Sequence, residues 1–574
     1  MITKINIRNF KKLENVSFEL GNPVVLIGPN NSGKTTILQA LSLWDIGMRK
    51  WSEKRKDKKA NPKSKRTGVA INRKDLFSLP IPDSKLMWFK QHVREMDTSS
   101  GTKKTSNVKI EIKVEGILNY RNWKSFLEFD FSNSESIYCR PLNFGNSVSE
   151  NEIIDDISYN ERIAYLQPMS GLALEEDKLT PGSIDVRVGM GKTADVLRNI
   201  IFQLINPERS GSNNGLSEQN WDKLKRHIKS KFLIEINKPE FLPDTGLISM
   251  NYFENGIKYD LSSGGRGFHQ TLLLLSYLYS YPGRIILIDE PDAHLEVIRQ
   301  REIYNLLVEV AKEQSSQLIM ASHSEVVLQQ AGDADTVVAI YGNETQNLNN
   351  NQEISQFKKS LTEIGWDKYY YAKLTGHILY MEDSTDFLML NEFSKLLNHP
   401  LYELLGRVNV HFLSNNLPND AIKHFYGLKQ VIKDLKGVAL FDRLDRETDE
   451  PNLKILTWKK KEFENYFAFP SVIRRFIEPH NLDLFNQSNM DIIEVAIRNN
   501  TPPRALKNSS DKWWFDTKLS DDYLENIFSE FYSKLGIKNE FNKGRYFELI
   551  KFLEPEEIDS EIIEKLNEIY DILK

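Results

Sequence analysis

The residues in this 574-residue chain best able to do chemistry form two groups. In the first, Gly28-Pro29-Asn30-Asn31-Ser32-Gly33-Lys34-Thr35 spells a G-x-x-x-x-G-K-T loop, followed by Thr36. Its glycines let backbone amides face a phosphate chain, Lys34 can reach the terminal phosphates, and the Thr35 hydroxyl can ligate magnesium. Asp289 and Glu290 are adjacent acids that can divide two tasks, Asp289 holding magnesium indirectly and Glu290 polarising an attacking water. His323 is placed to contact a γ-phosphate. Ser263-Gly264-Gly265 offers backbone amides at a helix start to a phosphate held by a different subunit. Gln167 either couples the magnesium site to a helical lobe or is an ordinary loop glutamine. The second group is acidic: Glu382 and Asp386, then Asp442 and Asp445. Clustered carboxylates bind magnesium or manganese rather than soft metals, and ions held this way can activate water for phosphodiester cleavage.

Apolar runs must position these residues. Val24 to Ile27 reads as a buried strand running into the loop, and an apolar helix follows over 37–43. Ile285 to Ile288 and Gln317 to Ala321 read as parallel strands that deliver the Asp289-Glu290 pair and the Ser322-His323-Ser324 segment. A strand-ending Asp-Glu pair can also be a solvated turn, but Pro291-Asp292-Ala293-His294-Leu295 continues the first reading. Ile378 to Met381 ends in Glu382, a helix over 387–397 follows, and Val438 to Phe441 ends in Asp442. In a parallel sheet, neighbouring strand ends bring such acids together. The alternative is a Rossmann-like domain with ordinary helix-capping acids, Asp386 above all. A last helix over 557–573 places Ile558, Ile562, Ile563, Leu566, Ile569 and Leu573 on one packing face. Trp513-Trp514 reads as core rather than as a base-stacking platform.

A chain of this length exceeds one hydrophobic core, so two or three domains are expected. Cys139 is the single cysteine and cannot form an internal disulfide. No signal peptide and no membrane-length apolar run stands out, which predicts a soluble, cytoplasmic protein with no membrane partner. The net charge of −5 does not argue for nucleic acid. Locally, Lys54, Arg55, Lys56, Lys58, Lys59, Lys63, Lys65, Arg66 and Arg73 form a basic run, either a phosphate- or acid-binding segment or a solvated insertion. The Asn-rich stretch from Gly342 to Gln352 marks a connecting loop.

From the start to about residue 340 the chain resembles an ABC-type ATPase head of the kind found in SMC-like repair ATPases and OLD-family proteins. Ile5-Asn6-Ile7-Arg8-Asn9-Phe10 and Ser263-Gly264-Gly265 carry that resemblance beside the phosphate loop. No long heptad run separates loop and signature, so no SMC-type coiled-coil arm is expected.

The second pattern resembles a TOPRIM domain, with Glu382 as the invariant-type acid and Asp442 and Asp445 as the paired acids. Asp383 stands where glycine is usual, and the Asp-x-Asp motif is stretched by one residue. Glu464-Asn465-Tyr466 matches an element that commonly follows the paired acids in TOPRIM proteins attached to such ATPases. Asn542-Lys543-Gly544-Arg545 resembles the element that supplies a lysine near the scissile phosphate; Lys543 reads equally as a solvated turn residue.

This order resembles OLD-family nucleases and PARIS-type antiphage proteins. The resemblance implies an α/β chain: an ATPase head with a mixed sheet and helical insertion over 1–345 (insertions about 45–110 and 190–245), a linker over 346–375, and a Rossmann-like TOPRIM domain with C-terminal helices over 376–574. It implies an ATP-controlled, metal-dependent endonuclease acting on DNA or tRNA, using ATP, Mg2+ and, at the TOPRIM site, Mg2+ or Mn2+. The implied partners are a nucleic acid substrate, a phage-encoded trigger protein and further copies of the chain, at least a dimer through the heads. Two alternatives stand beside it: an ATP-driven sensor or clamp with an inactive TOPRIM-like module, and a DNA-repair ATPase.

Overall fold

Ile2, Ile5, Ile7 and Phe10 are fully buried along the first strand, Ile2–Phe10. That strand belongs to a six-stranded antiparallel sheet with the order Leu13–Glu19, Ile2–Phe10, Ile110–Leu118, Arg121–Asn133, Ser136–Pro141 and Val69–Asn72. A second six-stranded sheet has the order Ile163–Leu166, Ile285–Asp289, Gln317–Ser322, Val24–Ile27, Thr336–Tyr341 and Glu344–Asn347. Its first five strands are parallel and only the last is antiparallel. The central strands are buried throughout and mostly apolar because both their faces are covered. The 22-residue helix Lys34–Arg55 joins the two sheets in one core: its Ile37, Leu38, Leu41 and Trp44 share it with Ile7 and Ile112 of one sheet and Leu26 and Leu287 of the other. Trp44 stacks on Trp123 at 5.9 Å and donates its indole N–H to Ser125 Oγ at 3.1 Å.

The computed structural model describes residues 1–55, 68–79, 81–97, 104–142, 154–169, 171–206, 214–331, 335–348, 372, 375–429, 432, 434–444, 450–478 and 486–574. Most of the basic run lies outside them, as does most of the expected linker. The chain divides into Met1–Lys358 and Lys359–Lys574. Within the stretch expected as an insertion, about 45–110, Met48 and Trp51 are buried in the head core and Val69–Asn72 pairs with Ser136–Pro141. Helices Pro181–Gly189, Leu197–Ile205, Asn214–Phe232 and Arg266–Ser280 form a helical region of the same unit. No helix among the described residues is long and apolar enough to cross a membrane.

The second unit holds four parallel strands in the order Asn409–Phe412, His377–Met381, Lys436–Phe441, Leu453–Thr457. The chain runs from the second of these to the first and then crosses back to the third, so the order reverses between His377–Met381 and Lys436–Phe441. In open α/β sheets the crevice beyond such a reversal is where ligands bind. Helices Pro470–Ile477, Asn486–Asn499, Glu525–Leu535 and Ser560–Leu573 belong to the second core. On the last helix Ile562, Leu566, Ile569 and Leu573 are buried, whereas Ile563, expected on that face, is exposed. Trp514 is buried, donating its indole N–H to Ala505 O at 3.0 Å.

Candidate functional site

Strand Val24–Ile27 ends in the glycine-rich loop, and helix Lys34–Arg55 begins directly at the end of that loop. Gly33 has φ +109°, a conformation that side-chain-bearing residues rarely adopt, and a Cβ there would lie 3.2 Å from Leu13 Cδ2. Lys34 Nζ donates to Gly28 O at 2.7 Å and Pro29 O at 2.8 Å. Ser32 is buried, and its Oγ has no hydrogen-bond partner among the described residues. Asn30 and Asn31 are exposed and Thr36 is buried. An orphaned hydroxyl, a lysine resting on loop carbonyls and a helix N-terminus directly after the loop are the donor set a phosphate chain takes.

Adjacent parallel strands bring the other residues to this end of the sheet. Thr35 Oγ1 donates to Asp289 Oδ1 at 3.2 Å, and the Tyr165 hydroxyl to Asp289 Oδ2 at 3.4 Å. Burial pushes the Asp289 carboxyl up to about 6; the Glu290 charge adds to this, and the Thr35 and Tyr165 hydrogen bonds with Lys34 oppose it. Glu290 has φ 51°, and its N–H donates to Ala321 O at 2.8 Å. His323, just past strand Gln317–Ser322, brings Nδ1 to 3.8 Å from Glu290 Oε1. Thr35 and Asp289 can together hold a magnesium ion. Gln167, just past strand Ile163–Leu166, donates its amide to Gly189 O at the end of helix Pro181–Gly189.

Ser263 and Gly265 are exposed. Gly265 caps the 15-residue helix Arg266–Ser280 without a side-chain hydrogen bond, and a Cβ at Gly265 would meet nothing within 4 Å. Gly264 is tighter: a Cβ there would stand 2.6 Å from Phe268 and 2.8 Å from His269. The signature thus presents an open helix start to solvent.

In the second unit, Glu382 and Asp442 directly follow the two strands that flank the reversal. The Asp442 turn is laced to the next strand, with Thr457 Oγ1 donating to Asp442 O at 2.9 Å and accepting from Leu444 N at 3.1 Å. Asp383, in the place where glycine is usual, is the N-cap of helix Ser384–Leu396, accepting Thr385 N at 2.7 Å and Asp386 N at 3.2 Å. The cap is therefore Asp383 rather than Asp386, which returns the bond by accepting Asp383 N at 3.4 Å. Burial raises Asp386 to about 7, reinforced by Asp383 and Glu382. Burial likewise raises Asp442 to about 8, reinforced by Asp386, Glu462 and Glu382 and opposed by Lys543.

Glu462 and Glu464 belong to the same electrostatic cluster, although neither was among the site residues expected from sequence. Glu462 accepts the Ser520 hydroxyl at 2.9 Å. Glu464 is buried, with its pKa pushed up by burial, Glu462 and Asp386. Asn465 is fully buried and donates to Trp514 O at 2.8 Å and Thr517 O at 3.0 Å, while Tyr466 bonds Glu561. The Glu-Asn-Tyr element is thus a brace that presents its acid. Lys543 stands 3.8 Å from Asp521; burial pulls its pKa down, but Glu464, Asp521 and Glu462 outweigh that and leave it raised. Asp445 lies outside the described residues. Among the described residues no three His, Cys, Asp or Glu side chains stand in a metal-ligating arrangement. Of the expected metal-binding set Glu382, Asp386, Asp442 and Asp445, the three described acids share a field, and Asp386 is also engaged in the helix cap. Their chemistry remains that of hard-cation ligands.

A family model for the RecF/RecN/SMC N-terminal domain matches residues 1–349. No curated protein matches the chain. Among solved structures, the SMC head domain from Thermotoga maritima is similar at 15% identity and a TM-score of 0.31, over 60% of this chain and 97% of its own. An SMC head bound to the C-winged helix domain of ScpA is similar at 12% identity and a TM-score of 0.36, over 60% of this chain and 96% of its own. The recombination mediator protein RecF is similar at 12% identity and a TM-score of 0.32, over 61% of this chain and 98% of its own.

Proposed function

The chain belongs to the family of RecF/RecN/SMC N-terminal domains and carries an ATPase head of that class, and from that premise we propose an ATP-controlled, metal-dependent nuclease of the ABC-TOPRIM type. The loop over residues 30–36 and Lys34 would hold the phosphates of ATP, and Thr35 and Asp289 would hold its magnesium ion. Glu290 orients the attacking water, and His323 reads the γ-phosphate. Ser263 and Gly265 complete the site of a second copy, so hydrolysis requires paired heads.

The observation that carries the nuclease reading is the position of Glu382 and Asp442 on the two strand ends that flank the sheet reversal, with Asp386, Glu462, Glu464 and Lys543 in the same field. Divalent ions bound there would supply Lewis acidity and an activated water for phosphodiester cleavage. Lys543 would contact the substrate phosphate, and Asp442, which burial and neighbouring acids push up to about 8 without metal, would give up its proton when a divalent ion binds. The substrate is DNA or tRNA, and the proposed setting is antiphage defence, with a phage-encoded protein as trigger. The test is purified full-length chain with ATP and Mg2+ or Mn2+, offered plasmid DNA and total tRNA side by side. Cleavage that Glu382→Ala removes while ATP hydrolysis persists supports the reading; cleavage that survives in that variant overturns the site.

A second reading follows from Asp383 in the usual glycine position and from the stretched acid pair: an ATP-driven clamp whose second unit only binds. No product from either nucleic acid under any nucleotide and metal condition would select it.

A further inference from the structure

Arg198, the second residue of helix Leu197–Ile205, is a charged side chain only 1% exposed. Its Nη1 donates to Ala173 O at 2.9 Å and approaches Glu176 Oε1 at 3.4 Å. Glu176, wholly buried, also accepts Arg198 N at 3.0 Å and Asn199 N at 3.1 Å, which fixes the start of that helix. Glu176 thus faces one arm of the guanidinium. Yet Arg198 Nη2 reaches further, to Asp260 Oδ1 at 3.1 Å, and the Asp260 carboxylate is 44% exposed.

Asp260 immediately precedes the signature turn. The oxygen that takes Arg198 also takes Ser262 N at 2.8 Å and Ser262 Oγ at 2.6 Å. From the other side His269 Nε2 meets Leu261 O at 2.6 Å, and Gly264 N donates to Leu261 O at 3.1 Å. The turn before Ser263 is thus clamped at both ends. One clamp leads through Arg198 to Ala173 and Glu176, in the segment that follows Gln167. A buried, multiply hydrogen-bonded guanidinium holds its partners in a fixed planar geometry.

We propose that Arg198 is a positioning residue that ties the segment following Gln167 to the signature turn through Asp260. The geometry in which Ser263 and Gly265 meet a second copy then depends on where the Gln167 segment sits, so each head's own nucleotide site influences the signature it offers. This rests on the composite-site reading above. Asp260 serving only as the cap of the turn Leu261–Ser263 is the competing account, and it leaves Arg198 without a part in association.

The two accounts separate in the full chain carrying Glu290→Gln, which holds ATP. Asp260→Asn keeps an acceptor for Ser262 and gives up the charge facing Arg198; Arg198→Lys keeps the charge for Glu176 and gives up the fork. Labelled-nucleotide titration reads ATP affinity, and sedimentation reads ATP-dependent self-association. The expected result is ATP affinity within about two-fold of the parent, association weakened about ten-fold by either substitution, and a double variant no worse than the singles. If Arg198→Lys does not fold, Asp260→Asn at its half-exposed position decides. Association equal to the parent in Asp260→Asn overturns the proposal while the composite site stands. A parent that does not associate with ATP overturns both.

Discussion

Thr35 Oγ1 donates to Asp289 Oδ1 at 3.2 Å, joining the end of the phosphate loop to a strand end 254 residues later. Both are oxygen donors suited to one magnesium ion, and here they hold each other. The neighbouring Lys34 is likewise held, by Gly28 and Pro29 carbonyls that a phosphate chain would replace.

Lys34→Ala should lower ATP affinity about ten-fold or more by removing the charge on the terminal phosphates, whereas Glu290→Gln should leave affinity near wild type and slow hydrolysis by about two orders of magnitude or more. Nucleotide titration beside a phosphate-release assay checks both. Equal hydrolysis in Glu290→Gln and the parent would remove Glu290 from the chemistry.

Glu382→Ala should abolish nucleic acid cleavage and leave ATP hydrolysis within about two-fold, because the substituted residue belongs to the second unit alone. Gel-resolved cleavage and phosphate release on the same preparation check this. A parallel loss of ATPase would tie Glu382 to the head instead.

Asp386, raised to about 7, and Asp442, raised to about 8, bind protons more readily folded than unfolded. Their stabilising contribution is full below the ordinary carboxylate pKa of about 4 and is lost as pH rises through 7 and 8. Metal-free chain should therefore melt several degrees lower at about pH 8.5 than at about pH 5.5, and Asp442→Asn should flatten that slope. Calorimetry of the full chain checks it; an unchanged slope in the variant would exonerate Asp442.

Asn465→Ala should destabilise the chain by about 2–4 kcal/mol, since it strands the buried Trp514 and Thr517 carbonyls and the Glu462 N–H together. Urea unfolding followed by tryptophan fluorescence reads the change. A loss below about 0.5 kcal/mol would show that the brace is dispensable.

Much of the head was legible because its signals are local. Four-residue apolar runs mark strands buried on both faces, and a loop of fixed spacing follows one of them. The second unit was less legible. Glu464 was legible only as part of a Glu-Asn-Tyr element and Glu462 not at all, and the parallel pairing of Leu453–Thr457 with Lys436–Phe441 carries the chain that follows back beside Asp442. The sequence singled out Asp386 as the capping acid; one helix turn of geometry assigns the cap to Asp383.

Composition and spacing alone thus determined the phosphate loop, the strand-ending acids and a buried strand ahead of each. Those are properties of contiguous residues, for which hydrophobic pattern and turn chemistry suffice. Tertiary structure alone decided which strand ends are neighbours, that Met48, Trp51 and Val69–Asn72 join the head core and its sheet, and that Arg198 reaches Asp260. Each of these depends on pairing and burial between segments far apart in the chain, where the cost of an unpaired buried charge selects a partner that spacing cannot reveal.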